Sequence, residues 1–397
     1  MSSALRLLNT FLFTVVFGLG YSVLLSRILG VEQRGVFYSY QLIALFLITL
    51  VVLPLGQSYF ESCYKKNDKQ IIDLSFFTLF FFSFLVLVFP LCFYVVSNGL
   101  SIFHALILVF FQGLALYFLE FFKFSLDKNS YLRFISLQTF FPFLLVSVGF
   151  VIGFDSTFEY LFLYVVSFLL LLCFLIIALL KKYSFTFSIF TSIKFFDVSR
   201  FFSLFIYRSL GAGVTYIDKF FLTYFLDTRA LGLIAVCVSL ESVSSKFFQI
   251  FANVKANDIS NKSKINFSSF NVFCALSGIV GIGLTFLFGR FFIDLFFGSD
   301  FSDANSYFLI ILTISVVNGT SWVFSQRWIQ DPEMIRYVYM RQVIGIFIFL
   351  VLFSSFYRLK VNEFDFLILY SALVSSLVRF LFTVFINKKV YTRCLNV

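Results

Sequence analysis

Arg208, Asp218 and Lys219 lie within one apolar stretch, residues 201–225, of a 397-residue chain. Charge is costly in hydrocarbon, so each should face water, a partner or the interior of a helix bundle. Eleven residues at about 100° each bring Arg208 and Lys219 within about 20° of one another on a helix. Gly211 and Thr215 share that side, and the result is a cationic stripe able to hold an anionic group such as phosphate. The competing reading is that both stems snorkel to the nearer membrane face. Asp218 is too short for that, so it pairs with a neighbouring helix or lines water. Glu241 stands near the middle of residues 231–250, with Ser244 and Ser245 one turn on. Such a face either lines a cavity or supplies a structural hydrogen bond. Glu120 and Arg379 sit near the ends of their stretches, where an interfacial role competes with a functional one. Arg290 and Asp294, four apart, read as a local ion pair.

Other chemistry is missing. His104 is the one histidine, and no H-E-x-x-H, G-x-S-x-G or Walker loop occurs. Cys63, Cys92, Cys173, Cys237, Cys274 and Cys394 are scattered without a C-x-x-C pair, so no metal site is expected and they read as small core hydrophobes. No cofactor is expected. Gly149, Gly153, Gly278, Gly281 and Gly283 read as helix-packing positions.

The elements that must carry these side chains follow from composition. With 60% hydrophobic and 13% charged residues, the chain lies outside the range of water-soluble domains. There are 66 Phe but only 4 Pro, and the apolar runs are continuous and of helix-spanning length, which excludes a transmembrane barrel. The fold class is therefore all-α: a polytopic bundle of about twelve transmembrane helices. Spans are predicted near 8–27, 36–58, 75–96, 101–121, 134–153, 158–180, 201–225, 231–250, 269–297, 304–325, 338–356 and 364–386. The run after Arg6 lacks a small-residue cleavage site and reads as a retained first span.

Basic residues fix orientation. Alternate loops hold Lys65, Lys66 and Lys69; Lys123, Lys128 and Arg133; Lys181, Lys182, Lys194 and Arg200; and so on to the tail Lys388, Lys389 and Arg393. Both termini are thus expected in the cytoplasm. The net charge of +10 is mostly a consequence of topology, and no nucleic-acid partner is required.

Leu29–Val36 and Leu226–Leu233 share the pattern L-[GD]-x-x-x-x-G, half a chain apart. Each is followed by a span and a basic loop. Two six-helix lobes in the same orientation are expected, 1–180 and 201–397, joined by a cytoplasmic linker over 181–200, as in parallel-repeat transporters.

The segment Ser26-Arg27-Ile28-Leu29-Gly30-Val31-Glu32-Gln33-Arg34-Gly35-Val36-Phe37 resembles the first outward loop of the polysaccharide flippases often called Wzx. These belong to the superfamily of multidrug, oligosaccharidyl-lipid and polysaccharide exporters. Tyr216-Ile217-Asp218-Lys219-Phe220-Phe221-Leu222, with Leu226–Gly232 after it, is similar to that family's acidic-basic pair in span 7 and the loop that follows. Phe296–Ala304 resembles the outward loop between spans 9 and 10. Asp227 departs from the pattern, standing where glycine is more usual.

The resemblance implies two lobes around a central cavity that opens alternately to each side of a bacterial inner (cytoplasmic) membrane. The implied substrate is an undecaprenyl-pyrophosphate-linked oligosaccharide repeat unit of O-antigen, lipopolysaccharide or capsule type. Membrane lipid, the polysaccharide polymerase and a chain-length regulator are the implied partners. Substrate-binding residues are expected at Arg27, Arg208, Asp218, Lys219 and Arg379, and ion-coupling or cavity residues at Glu120, Glu241, Ser244 and Ser245. The alternatives are an O-antigen-type polymerase, for which no sizeable outward loop is visible, and a small-molecule exporter of the same superfamily.

Overall fold

A computed structural model describes residues 3–54, 71–73, 101–124, 128–182, 184–186, 198–260, 267–330, 335–358 and 364–395. Ten helices run through them: α1 (Ser3–Leu47), α2 (Ile102–Phe124), α3 (Lys128–Ile152), α4 (Thr157–Lys182), α5 (Val198–Phe225), α6 (Thr228–Ser260), α7 (Phe267–Phe297), α8 (Ala304–Gln330), α9 (Ile335–Arg358) and α10 (Phe364–Leu395). The span predicted over 75–96 lies outside the described residues. Nine helices among them are long and apolar enough to cross a membrane. The chain is a multi-pass, almost entirely helical membrane protein.

The first two predicted spans share one continuous stretch, α1. They are separated at Gly30, whose backbone has φ 68° and ψ −178°. A positive φ costs a side-chain-bearing residue energy, and glycine takes it without penalty. A five-residue π-helical turn, Ile48–Val52, extends α1. The loops are not wholly irregular either: β1 (Ile71–Asp73) and β2 (Ser184–Thr186) pair in parallel, with Ile71 opposite Ser184.

Two compact units divide the chain. Unit 1 comprises Met1–Leu29 and Val36–Ala212, and unit 2 comprises Gly30–Gly35 and Gly213–Val397. Unit 1 is built on α4, which packs against α2 and α3. Its helix begins with a reciprocal cap: Glu159 accepts from the Ser156 N–H at 3.0 Å, and the Ser156 hydroxyl accepts from the Glu159 N–H at 3.3 Å. Gly149 lets α3 approach, since a Cβ there would lie 2.5 Å from Leu163 Cδ1. Aromatic rings fill the interior; Tyr40, Tyr117, Tyr160, Phe37, Phe118 and Phe122 are fully buried. Two of the buried phenols make hydrogen bonds across the unit: Tyr160 donates to the Phe154 carbonyl at 3.0 Å, and Tyr40 accepts from the Ser101 N–H at 2.7 Å.

Unit 2 is organised by α8, which packs on α6, α7, α9 and α10. Two glycines allow this. A Cβ at Gly278 would meet Val316 at 2.4 Å, and one at Gly319 would meet Phe248 at 2.4 Å. Phe221 and Phe225 of α5 meet Phe353 of α9 with ring centroids 4.6 and 5.4 Å apart.

The packing reading of the glycines holds for Gly149 and Gly278 and is corrected for three others. Gly281 and Gly283 face open space. Gly153, with φ 89°, ends α3: its own N–H and that of Phe154 both donate to the Gly149 carbonyl at 3.0 Å. The large apolar side chains left exposed, such as Phe286, Leu287 and Phe291 on α7, are what a lipid-facing helix presents.

Candidate functional site

The charged interior of unit 2 is the candidate site. Its centre is Arg379 on α10, only 8% exposed. The polar residues of α10, Ser371, Ser375, Ser376, Arg379 and Thr383, recur every turn or so on one side and are all buried. Arg379 reaches α8 by donating from Nη2 to Asn318 Oδ1 at 2.9 Å, and it donates to Ser376 Oγ on its own helix, also at 2.9 Å. Its Nε is buried without a hydrogen-bond partner. Room for the side chain comes from Gly345 on α9, where a Cβ would stand 2.4 Å from Arg379 Cδ and 2.9 Å from Nε.

A second guanidinium belongs to the same cluster. Arg341 of α9 is 6% exposed and donates to the Ser321 carbonyl and hydroxyl, both at 3.3 Å. The Ser321 hydroxyl lies 3.0 Å from that of Thr383, which donates to the Arg379 carbonyl at 2.8 Å. Three helices are thereby tied together through hydroxyls around two cations. Arg341 repels Arg379 and Asp218 attracts it, but both hydrogen bonds of the Arg379 guanidinium go to neutral oxygens. A buried guanidinium held only by neutral acceptors retains nearly its full charge, and a donor left over, to offer an anion.

On α5, Asp218 is buried and Lys219 half-buried. Lys219 Nζ lies 3.7 Å from Asp218 Oδ1 and donates to the Thr215 carbonyl at 2.8 Å. Glu241 of α6 attracts the same ammonium. Glu241 is half-buried and accepts from Ser245 at 2.5 Å; Ser245 lies 3.2 Å from Ser315 of α8. Ser244 is half-buried beside it. The structure therefore brings Asp218, Lys219, Glu241, Ser245 and Arg379 into one unit. Arg27 is exposed and lies in unit 1. The side chains of Arg208 and Glu120 lie outside the described residues.

Arg341, Asn318 and Ser321 were missed by sequence reasoning. Arg341 counts as a loop cation when charges alone are tallied, although it falls inside the span predicted at 338–356. The signal that finds it is the polar spacing Asn318–Ser321 on α8 together with Ser375, Ser376, Arg379 and Thr383 on α10. Arg290 and Asp294 do form the local pair, at 3.9 Å, and Asp294 also accepts from Ser302 at 2.7 Å.

Solved structures share this fold. The lipid II flippase MurJ in an inward closed conformation superposes with a TM-score of 0.73 at 16% identity, covering 96% of this chain and 87% of that one. An inward-facing multidrug resistance MATE family transporter of the MOP superfamily gives 0.65 at 12% identity, covering 98% and 99%. A MOP superfamily transporter from Pyrococcus furiosus gives 0.59 at 12% identity, covering 97% and 95%. The fold is thus that of twelve-helix, two-lobe transporters. No family model and no curated protein sequence matches the chain.

Proposed function

We propose that this protein is an alternating-access flippase. It carries an undecaprenyl-pyrophosphate-linked oligosaccharide repeat unit, of O-antigen or capsule type, from the cytoplasmic to the periplasmic leaflet of a bacterial inner membrane. The observation that supports this most is the buried Arg379, held by neutral oxygens with its buried Nε–H unused and Arg341 beside it. An anionic diphosphate head matches that arrangement in sign. Arg's planar fork suits phosphate oxygens better than a lysine would. Lys219 contributes further positive charge, with Asp218 positioning it. Arg27 and Arg208 are proposed to add positive charge along the path of the head.

Glu241 is proposed as a proton-coupling group or as a hydrogen-bond acceptor for sugar hydroxyls. Membrane potential alone favours outward movement of an anionic head, by about 2.3 kcal/mol per charge per 100 mV when the inside is negative. The termini are proposed to be cytoplasmic, and the polymerase and chain-length regulator to be the downstream partners.

The second reading is a small-molecule exporter, which the likeness to MATE transporters favours. Deleting the gene separates the two. Lipid-linked repeat units should accumulate in the cytoplasmic leaflet, and the wild-type chain should clear them. Unchanged lipid-linked pools with increased sensitivity to small toxic cations would replace the flippase reading with the exporter.

A further inference from the structure

Asp218 is held in an unusual way for a buried acid. It is only 7% exposed, and its Oδ1 makes no hydrogen bond among the described residues. A carboxylate oxygen taken out of water without a donor costs free energy, so buried carboxylates ordinarily accept hydrogen bonds. The cation beside it does not supply one. Lys219 Nζ stands 3.7 Å away, within ion-pair range but too far to donate, and donates instead to the Thr215 carbonyl at 2.8 Å. Arg379, which Asp218 attracts, gives its hydrogen bonds to Asn318 and Ser376. Asp218 thus offsets the charge of two cations without taking a hydrogen bond from either.

An ion pair that serves to fasten helices is built the other way. Charge-assisted bonds from Lys or Arg to a carboxylate close to about 2.7–2.9 Å, often bidentate with Arg, and hold both side chains fast. Here the charges alternate through the interior of unit 2. Glu241 attracts Lys219, Lys219 pairs with Asp218, Asp218 attracts Arg379, and Arg341 repels Arg379. Three cations face two carboxylates in this series, and the surplus lies at the arginines. An anion entering there meets Asp218 as a buried like charge. A transport site needs such opposition, since it has to bind strongly enough to load and weakly enough to empty.

We propose that Asp218 is an internal counter-ion that competes with the anionic head of the cargo for Lys219 and Arg379, and so sets how readily the head is released. The proposal rests on the flippase reading for the identity of the cargo, but the competition can be measured with a soluble diphosphate. Holding Lys219 in place and competing with cargo have opposite signs. Loss of a residue that only positions Lys219 weakens anion binding, whereas loss of a competitor strengthens it.

The test uses the full chain in lipid nanodiscs and inorganic pyrophosphate as the probe, titrated by calorimetry. Asp218→Asn keeps the size of the side chain and removes its charge. It should bind pyrophosphate roughly tenfold tighter or more than the parent, because a like charge within a few ångströms in a partly screened interior repels by that order. Flipping of the lipid-linked unit should fall in the same variant, since a tighter head leaves more slowly. Asp218→Glu, which keeps the charge, should stay nearer the parent in both measurements. Asp303→Asn removes an exposed carboxylate of the same unit, 3.9 Å from Arg229, and should leave pyrophosphate affinity unchanged. If Asp218→Asn does not insert, Asp218→Ser is read by the same criteria. Unchanged or weaker pyrophosphate binding by the neutral variant overturns the proposal, as does absence of binding to parent and variant alike. Equal tightening by Asp303→Asn overturns it too, because net charge would then be the cause. Tighter binding with undiminished flipping removes the role in release. If the lipid-pool assay rejects the flippase, tightened pyrophosphate binding still stands for the internal counter-ion, so the two failures are told apart.

Discussion

The two units hide different kinds of polar group. Among the described residues of unit 1, the buried polar side chains are uncharged: Thr14, Ser22, Ser26, Ser39, Gln112, Thr157 and Ser167. Unit 2 buries Arg34, Asp218, Arg341 and Arg379 as well as hydroxyls. Both are helical, both are rich in phenylalanine, and both pack through glycines. Burying a charge costs several kcal/mol after relaxation, and replacing it with a well-packed apolar side chain is often neutral or stabilising. Stability does not account for the charges in unit 2. Unit 1 has an aromatic, uncharged interior and unit 2 a charged one, which is what the phosphate-bearing cargo proposed above would need.

The largest expected effect follows directly. Arg379→Met should reduce surface-polysaccharide complementation, normalised to protein in the membrane, by about 10- to 100-fold, since a hydrogen bond to a charged group contributes about 1.5–3 kcal/mol. The protein should still insert, and its melting temperature should hold or rise. Arg379→Lys should be intermediate. The matching change in unit 1 is Gln112→Leu, which removes a buried amide whose Oε1 has no partner. It should leave transport near the parent level. If Gln112→Leu is as defective as Arg379→Met, the division of labour between the units is wrong.

Glu241 sharpens the comparison from the acidic side. Its carboxylate accepts from Ser245, which in turn reaches Ser315. Glu241→Gln keeps an acceptor at the same place but cannot exchange a proton. Full transport with the parent's pH response marks Glu241 as an acceptor, and transport that no longer responds to pH marks it as the coupling group. Normal, pH-responsive transport by Glu241→Ala would remove both roles.

Packing in unit 1 should fail differently. Gly149→Leu forces a side chain into the space of Leu163 and Tyr160, and overpacking of that kind costs about 1–3 kcal/mol. The expected signature is lower thermal stability in detergent with transport per folded molecule unchanged. A selective loss of transport would mean that the interface of α3 and α4 moves during the cycle.

The all-helical membrane fold, the approximate span limits among the described residues and the presence of Asp218, Lys219 and Glu241 in otherwise apolar stretches were legible in the sequence because hydropathy and charge act over short windows. Arg341 and Asn318 were not. Their importance comes from the meeting of α8, α9 and α10, and a single chain's periodicity carries no information about which helices become neighbours. Arg379 was legible as a candidate but not as a buried one: its depth depends on the notch at Gly345, which is 34 positions away. The repeat was visible as a pattern of spacing.

The smallest expected effect lies where the two copies of the repeat differ. Gly30 and Asp227 are equivalent positions, 197 residues apart. Gly30 turns the chain through a positive φ with no side chain nearby. Asp227 instead caps α6, its Oδ1 accepting from the Ala230 N–H at 2.8 Å, which is the third helical position. The departure from the usual glycine is therefore a change of device: a left-handed kink in one copy, a capped helix start in the other. Asp227→Ala leaves a helix donor without that partner and should cost about 1 kcal/mol, whereas Asp227→Gly should cost only a few tenths. Both are measured as shifts in thermal unfolding of the solubilised protein. If Asp227→Ala costs as much as Gly149→Leu, the turn before α6 and not the aromatic interior limits stability, and the contrast between units would have to be redrawn around the turns.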